Sequence, residues 1–216
     1  GMFLKIAEEW GVPLDVINDG EVTALAGSMA MGKNGVLGIA MGTSQGGGYI
    51  DMEGNITTWL SELAFAPVDL HPEAPADEWS GDLGCGAQYF SQQAVGRLLP
   101  ASGIEYDETL KLPEQLKIVQ ALMEQGDERA LKIYDAIGIY LGYSLAHYAE
   151  FYDYESVLLL GRVTSGPGGE HIIERSKEVM EAEFPDLAKR IKFHIPDENE
   201  KRHGQAIAAA SLPKIS

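Results

Sequence analysis

Residues 35–56 read GVLGIAMGTSQGGGYIDMEGNI, and this stretch decides the fold class. Val36 to Met41 is apolar, partly β-branched and bounded by glycines, which predicts a strand. Gly42 to Gly48 is glycine-rich and reads as a turn. Tyr49 to Met52 reads as a second strand, Glu53-Gly54-Asn55 as a tight turn, and Ile56 to Leu60 as a third strand. Strands joined by such short turns make an antiparallel meander.

Upstream, Met2 to Trp10 reads as a helix stopped by Gly11 and Pro13. Leu14 to Ile17 reads as a short strand. Asn18-Asp19-Gly20 then opens a helix from Glu21 to Ala30, with Asn or Asp as a good N-cap. Downstream, residues 66–83 are rich in Pro, Asp and Glu and predict a long surface loop. Helices are expected over Ala87 to Leu98 and from Pro113 to Glu124. Asp127 caps a long helix reaching about Tyr152, in which Leu131, Tyr134, Ile137, Leu141, Leu145 and Tyr148 recur at three and four. Ser156 to Leu160 is a near-continuous apolar run and predicts a buried strand. Gly161 to Gly169 forms a second glycine-rich turn, followed by a helix (Glu170 to Phe184), a strand (Ile191 to Ile195) and an alanine-rich helix (Gly204 to Ser211). This order predicts an α/β lobe. Its mixed sheet combines the antiparallel meander with late parallel strands added by crossovers, flanked by helices.

The chain has 216 residues, of which 45% are hydrophobic, enough for a sizeable core. Acidic residues number 33 against 16 basic, a net charge of −17. That surface argues against non-specific nucleic-acid binding and against docking on anionic lipid. No apolar run approaches the roughly 18 residues of a membrane span. A single cysteine, Cys85, excludes an intramolecular disulfide and a multi-cysteine zinc site, and the simplest reading is a cytoplasmic protein.

Four features could carry chemistry. Gly42-Thr43-Ser44-Gln45-Gly46-Gly47-Gly48 could turn backbone N–H groups toward one anion, with Thr43 and Ser44 adding hydroxyls. The plainer reading is a tight hairpin. Gly161 to Gly169 joins a buried strand to a helix, where ligands of α/β sheets often sit. It lacks the lysine of a P-loop, and a simple connection explains it equally well. Asp19 could act as a general base on a hydroxyl, or merely cap its helix. Glu62, after the third strand, could bind a ligand or be an exposed charge. The five histidines show no ligand spacing, and Cys85 reads as a packing residue.

In order, these segments resemble the ROK family of repressors and sugar kinases. "VIND…TALAG" is similar to its "V-x-x-x-N-D-x-x-A-A-A-L-G" segment, and "GVLGIAMGTSQGGGYIDMEGNI" to its second phosphate motif, "L-x-L-G-T-G-x-G-G-G-I-V-x-x-G". "GCGAQYFSQQAV" resembles "G-C-L-E-x-Y-x-S-x-x-A-I". The stretch from Ile133 to Val163 resembles the long helix and adenosine-site strand, and "HGQAIAAA" the closing helix. The resemblance implies an RNase H-like lobe of the actin-like ATPase type and phosphorylation of a sugar hydroxyl by ATP with Mg²⁺. It implies Asp19 as catalytic base, and Asn18 and Glu62 as sugar-binding. Gly42, Thr43, Ser44, Gly46 and Gly47 would hold phosphates, and Gly161, Arg162 and Gly166 would lie at the adenosine loop. Residues 1–216 would form a C-terminal-type lobe. The family's N-terminal lobe, with its "D-x-G-G-T", is absent from them and would come in cis or in trans. A homodimer is a further expected partner. Two positions depart from the pattern. Ala64-Phe65 replaces the "G-H" after the glutamate, so no zinc is expected. Arg162 replaces the second glycine of "G-G", where a guanidinium could stack on adenine, contact phosphate or block the site. The rival implication is a non-catalytic sugar- or nucleotide-binding regulatory or assembly module.

Overall fold

The computed structural model describes residues 1–12, 14, 16–57, 59, 61–196 and 206–212. In chain order the elements are α1 (Met2–Trp10), α2 (Asp19–Met31), β1 (Val36–Met41), β2 (Gln45–Ile50), α3 (Gln92–Ser102), α4 (Leu112–Glu124), α5 (Glu128–Tyr148), β3 (Ser156–Leu160), α6 (Pro167–Glu183), α7 (Pro185–Arg190) and β4 (Lys192–His194). Residues 206–211 are also helical. Short 3-10 turns fall at Leu63–Phe65, Gly86–Gln88 and Arg162–Thr164.

The strands form one mixed sheet in the order β2-β1-β3-β4. β1 and β2 are antiparallel, with Val36 opposite Ile50 and Met41 opposite Gln45. β3 lies parallel to β1, with Val36 beside Ser156, and β4 lies parallel to β3. Successive side chains of a strand point to opposite faces. Leu37, Ile39 and Met41 of β1, with Val157 and Leu159 of β3, join the main core with Leu99, Leu116, Leu141, Leu145 and Ile172. Helices α3 to α6 cover that face. Val36 and Leu158 point the other way and form a smaller core with Ala24, Leu25 and Ala208, so α2 and the 206–211 helix cover the second face. The result is a layered α/β fold.

The 66–83 segment is a loop, and Asp69 ties it to the helical layer. Asp69 Oδ2 accepts hydrogen bonds from the hydroxyls of Tyr89 (2.7 Å) and Tyr140 on α5 (3.2 Å). The Tyr89 bond is the main reason the Asp69 carboxyl lies below the usual carboxylate range.

The structure alters several boundaries. The described residues of 14–17 form no strand. Among the described residues of the third meander strand there is a single bridge, between Ile50 and Ile56; Thr58 and Leu60 lie outside them. β2 begins at Gln45, so Gly46, Gly47 and Gly48 are strand and the turn is only Gly42 to Ser44. None of these glycines has a positive φ; each adopts an ordinary extended backbone and serves the strand by lacking a side chain. α3 starts at Gln92 because the Ser91 hydroxyl accepts from the Gln93 N–H (3.0 Å), while Ala87 sits in a 3-10 turn. α5 stops at Tyr148, short of Tyr152, and α6 opens at Pro167, a proline placed at the first helical position. α7 was not anticipated, and β4 is shorter than expected. The expected closing helix from Gly204 begins outside the described residues.

Candidate functional site

The first turn of α2 lies hard against β2. A Cβ on Gly20 would collide with Gly47 O, and one on Gly48 would collide with Gly20 O and lie 2.8 Å from the Glu21 Cα. Only glycine at these positions lets helix and strand backbones approach so closely. The same economy recurs along α2, where Ala24 meets Gly38 of β1 and Gly27 meets Leu158 of β3. On the other side of β2, a Cβ on Gly47 would be 2.7 Å from Ser61 O and 2.9 Å from Leu63 Cγ, so the segment carrying Glu62 rests on this strand.

Between α2 and the carboxyl ends of β1 and β3 opens a cleft of about 480 Å³. Asp19, Gly20, Thr23 and Gly27 form its helix side. Gly42, Ser44 and Gly46 form the β1–β2 side, and Leu160, Gly161 and His194 complete it from β3 and β4. Carboxyl ends of parallel strands are where open α/β sheets hold ligands. The cleft is lined largely by glycine, alanine and other small residues, which leave room for a ligand to approach the backbone.

The anticipated residues divide into groups. Asp19, Gly42, Ser44, Gly46 and Gly161 share the cleft. Asp19 is the first residue of α2 and is exposed; the helix cap is Asn18, whose Oδ1 accepts from the Gly20 N–H (2.8 Å). Thr43 is exposed at the turn without lining the cleft, and Gly47 is buried beneath Ser61 and Leu63. Gly161 is strictly glycine chemistry: its φ is 95°, and a Cβ there would collide with Met41 O. Arg162 is exposed outside the cleft, with its carbonyl accepting from Gln120 Nε2 (2.8 Å). Gly166 caps α6 with a φ of 69°. The neighbouring glycines serve packing: Gly168 receives the Tyr134 ring and Gly169 receives Thr164 O. Glu62 is exposed just before the Leu63–Phe65 turn, and Phe65 stacks obliquely on Trp79 at 5.6 Å.

Sequence reasoning missed three residues. Thr23 and His194 line the cleft, and Glu21 is buried in the first turn of α2. Thr23 was findable, because a helix that begins at Asp19 places residue 23 one turn on, over the same face. Burial, reinforced by Glu62, raises the Glu21 carboxyl above its ordinary value. Among the described residues no group of three or more His, Cys, Asp or Glu side chains could hold a metal ion. Among them also, no helix is long and apolar enough to cross a membrane.

The layered mixed sheet with helices on both faces is a fold shared with solved ROK family proteins. The chain belongs to the ROK family, which it matches over residues 2–184. It is 29% identical over 206 residues to a glucokinase of Halalkalibacterium halodurans, a match covering 88% of this chain and 61% of the relative. The chain thus spans less than two thirds of that relative's length. A ROK family glucokinase from Streptomyces griseus, solved in complex with glucose and AMPPNP, superposes with a TM-score of 0.73 at 20% identity, covering 99% of this chain and 72% of its own. A ROK family transcriptional regulator, a homologue of the E. coli MLC protein, superposes with a TM-score of 0.74 at 20% identity, covering 97% and 55%.

Proposed function

We propose that this chain is the C-terminal-type lobe of an ATP-dependent sugar kinase. The observation that carries the reading is that Asp19 and the backbone of Gly42, Ser44, Gly46 and Gly161 line one cleft at the carboxyl ends of β1 and β3. A carboxylate within reach of a phosphate cradle is the minimum for moving a phosphoryl group to a hydroxyl. Asp19 accepts the proton of the sugar hydroxyl as its oxygen bonds to the γ-phosphorus, and the bond to the β-phosphate oxygen breaks to release ADP. The turn at Gly42 to Ser44 and the N-terminal end of α2 favour the polyphosphate by backbone dipoles, which offsets the acidic surface. Asn18 braces the first turn of α2 through Gly20, and so fixes Asp19. Glu62 accepts sugar hydroxyls. ATP is inferred from the AMPPNP held by the Streptomyces griseus relative, and Mg²⁺ would arrive on the nucleotide phosphates, because the described residues offer no cage of three ligands. A companion lobe, in cis or in trans, would close the cleft from the other side.

The test is ATP turnover by the full-length protein across a panel of hexoses and amino sugars. Asp19→Asn should cut sugar-dependent turnover about 10²- to 10⁴-fold with an unchanged unfolding profile. Absence of turnover with every sugar would sink the kinase reading.

One observation favours a second reading, a sugar-sensing regulator: the solved regulator superposes as closely as the glucokinase does. Calorimetry separates the two. A regulator binds sugar and ignores AMPPNP, whereas a kinase binds both.

A further inference from the structure

Gln45 opens β2 and lines the cleft, yet the phosphoryl transfer leaves its side chain unused. It is only 5% exposed. A buried amide needs partners, because an unmet donor inside a protein is costly. Two backbone carbonyls face the end of this side chain, which sets the orientation of the amide. Its Nε2 donates to Gly86 O (3.1 Å) and to Leu63 O (3.2 Å). Both acceptors belong to 3-10 turns separate from β2, Leu63–Phe65 and Gly86–Gln88. The two turns are themselves joined. The Ala66 N–H donates to Leu63 O (3.1 Å), and the Gly86 N–H donates to Ala66 O (3.0 Å). Glycine at 86 permits the approach, since a Cβ there would collide with the Gln45 amide and with Leu63 O.

The backbone on either side of Gln45 is cleft wall. Ser44 precedes it, Gly46 follows it, and both line the cleft with Gly42. The tip of the turn, Thr43 and Ser44, is exposed. Its two ends are held. The Gly42 carbonyl accepts from the Gln92 N–H (2.9 Å) at the start of α3, and the other end is held by the Gln45 side chain. A turn that offers N–H groups to an anion works best when its backbone is fixed beforehand, because ordering it on binding spends affinity. The ROK phosphate motif leaves this position open, so the resemblance assigns Gln45 no role.

We propose that Gln45 is a positioning residue for phosphate binding. Its amide fastens the Gly42–Gly46 segment to the Leu63 and Gly86 carbonyls, and so holds the turn in the geometry that receives a polyphosphate. The proposal rests on the kinase reading for the nature of the ligand. Because Leu63 follows Glu62, filling the phosphate site also steadies the turn that carries Glu62.

The test compares AMPPNP with adenosine, which lacks the phosphates, by calorimetric titration of the full-length protein. Gln45→Met keeps the length of the side chain and removes both donors. It should weaken AMPPNP about tenfold and adenosine by less than about twofold. Equal weakening of the two ligands overturns the proposal, because a general loss of structure does not tell phosphate from adenosine. An unchanged AMPPNP affinity overturns it too. Hydrogen–deuterium exchange on the unaltered protein decides the matter if Gln45→Met folds poorly. AMPPNP should slow exchange of the Phe65 and Ala66 amides, which bond within the anchored turn, and adenosine should not. Protection that stays within the cleft, or that adenosine produces equally, overturns the proposal. ATP turnover across the sugar panel is measured separately. Turnover combined with equal weakening of both ligands overturns this inference and leaves the kinase reading standing. Phosphate-selective weakening without turnover does the reverse. An unaltered protein that binds no AMPPNP overturns both.

Discussion

On the α5–α6 side of the sheet, Leu37, Ile39 and Met41 share a core with Leu141, Leu145 and Ile172; on the α2 side, Gly38 meets Ala24 and Gly48 meets Gly20. The first face sets its spacing by side-chain volume, the second by backbone contact. Volume can relax when a methylene is lost, whereas backbone contact can only be pushed apart. The second face is also the one that holds the cleft, because a layer built from glycine and alanine leaves peptide groups within reach of a ligand.

Four substitutions would break or sharpen this contrast. The largest effect is expected on the volume-built face. Leu141→Ala, at a fully buried position, should cost about 2–5 kcal/mol in denaturant unfolding and leave ligand affinity of the folded protein intact. Gly48→Ala should cost less stability, about 1–3 kcal/mol, but should weaken nucleotide and sugar binding disproportionately, since it drives the first turn of α2 off β2. If Gly48→Ala affects stability and binding in the same ratio as Leu141→Ala, the two faces are not different in kind. Tyr89→Phe removes the hydroxyl that Asp69 accepts and should cost about 1–2 kcal/mol. Because that bond favours the ionised carboxylate, its contribution is present above the ordinary Asp range and is lost as pH falls through the lowered value. Thermal unfolding of Tyr89→Phe and the parent should therefore converge in acid.

The smallest effect concerns Glu21→Gln. A carboxyl raised above its ordinary 4.5 binds its proton more tightly folded than unfolded, so the parent loses stability as pH climbs past that ordinary value. The variant escapes this loss. Its unfolding temperature should match the parent in acid and exceed it at neutral pH. A reversed sign would mean that Glu21 has a cationic partner in solution.

The strands β1 and β3 and the helix α1 were legible to the residue, since apolar runs bounded by glycine, or a clean helical stop, define them locally. The start of β2 was not, because three consecutive glycines read as a turn when the layer they accommodate is unseen. The helix α7 was hidden by its six-residue length. Within the site, Asp19 and the cleft-lining glycines were candidates by type, and only the resemblance to the ROK family gave them roles. Glu21 was not a candidate, because an acidic residue in the first turn of a helix is ordinarily a solvent-exposed dipole partner. It is buried where the first turn of α2 packs on β2, with Gly48 admitting its backbone, a contact between residues 27 positions apart that no local pattern encodes.

The pairing of Val36 with Ser156 has a consequence in time. The β1–β2 hairpin closes over Gly42 to Ser44, and α5 and α6 are joined by a short connection through β3, so each can organise from nearby chain. Joining β1 to β3 instead requires the whole run of α3, α4 and α5 to be drawn in, and such distant closures are slow. The cleft needs that junction, because Gly42 at the end of β1 and Gly161 at the end of β3 both line it. During refolding, recovery of ligand binding should therefore trail the recovery of helical circular dichroism, which makes the ligand a clock for the last long-range step in the chain's assembly.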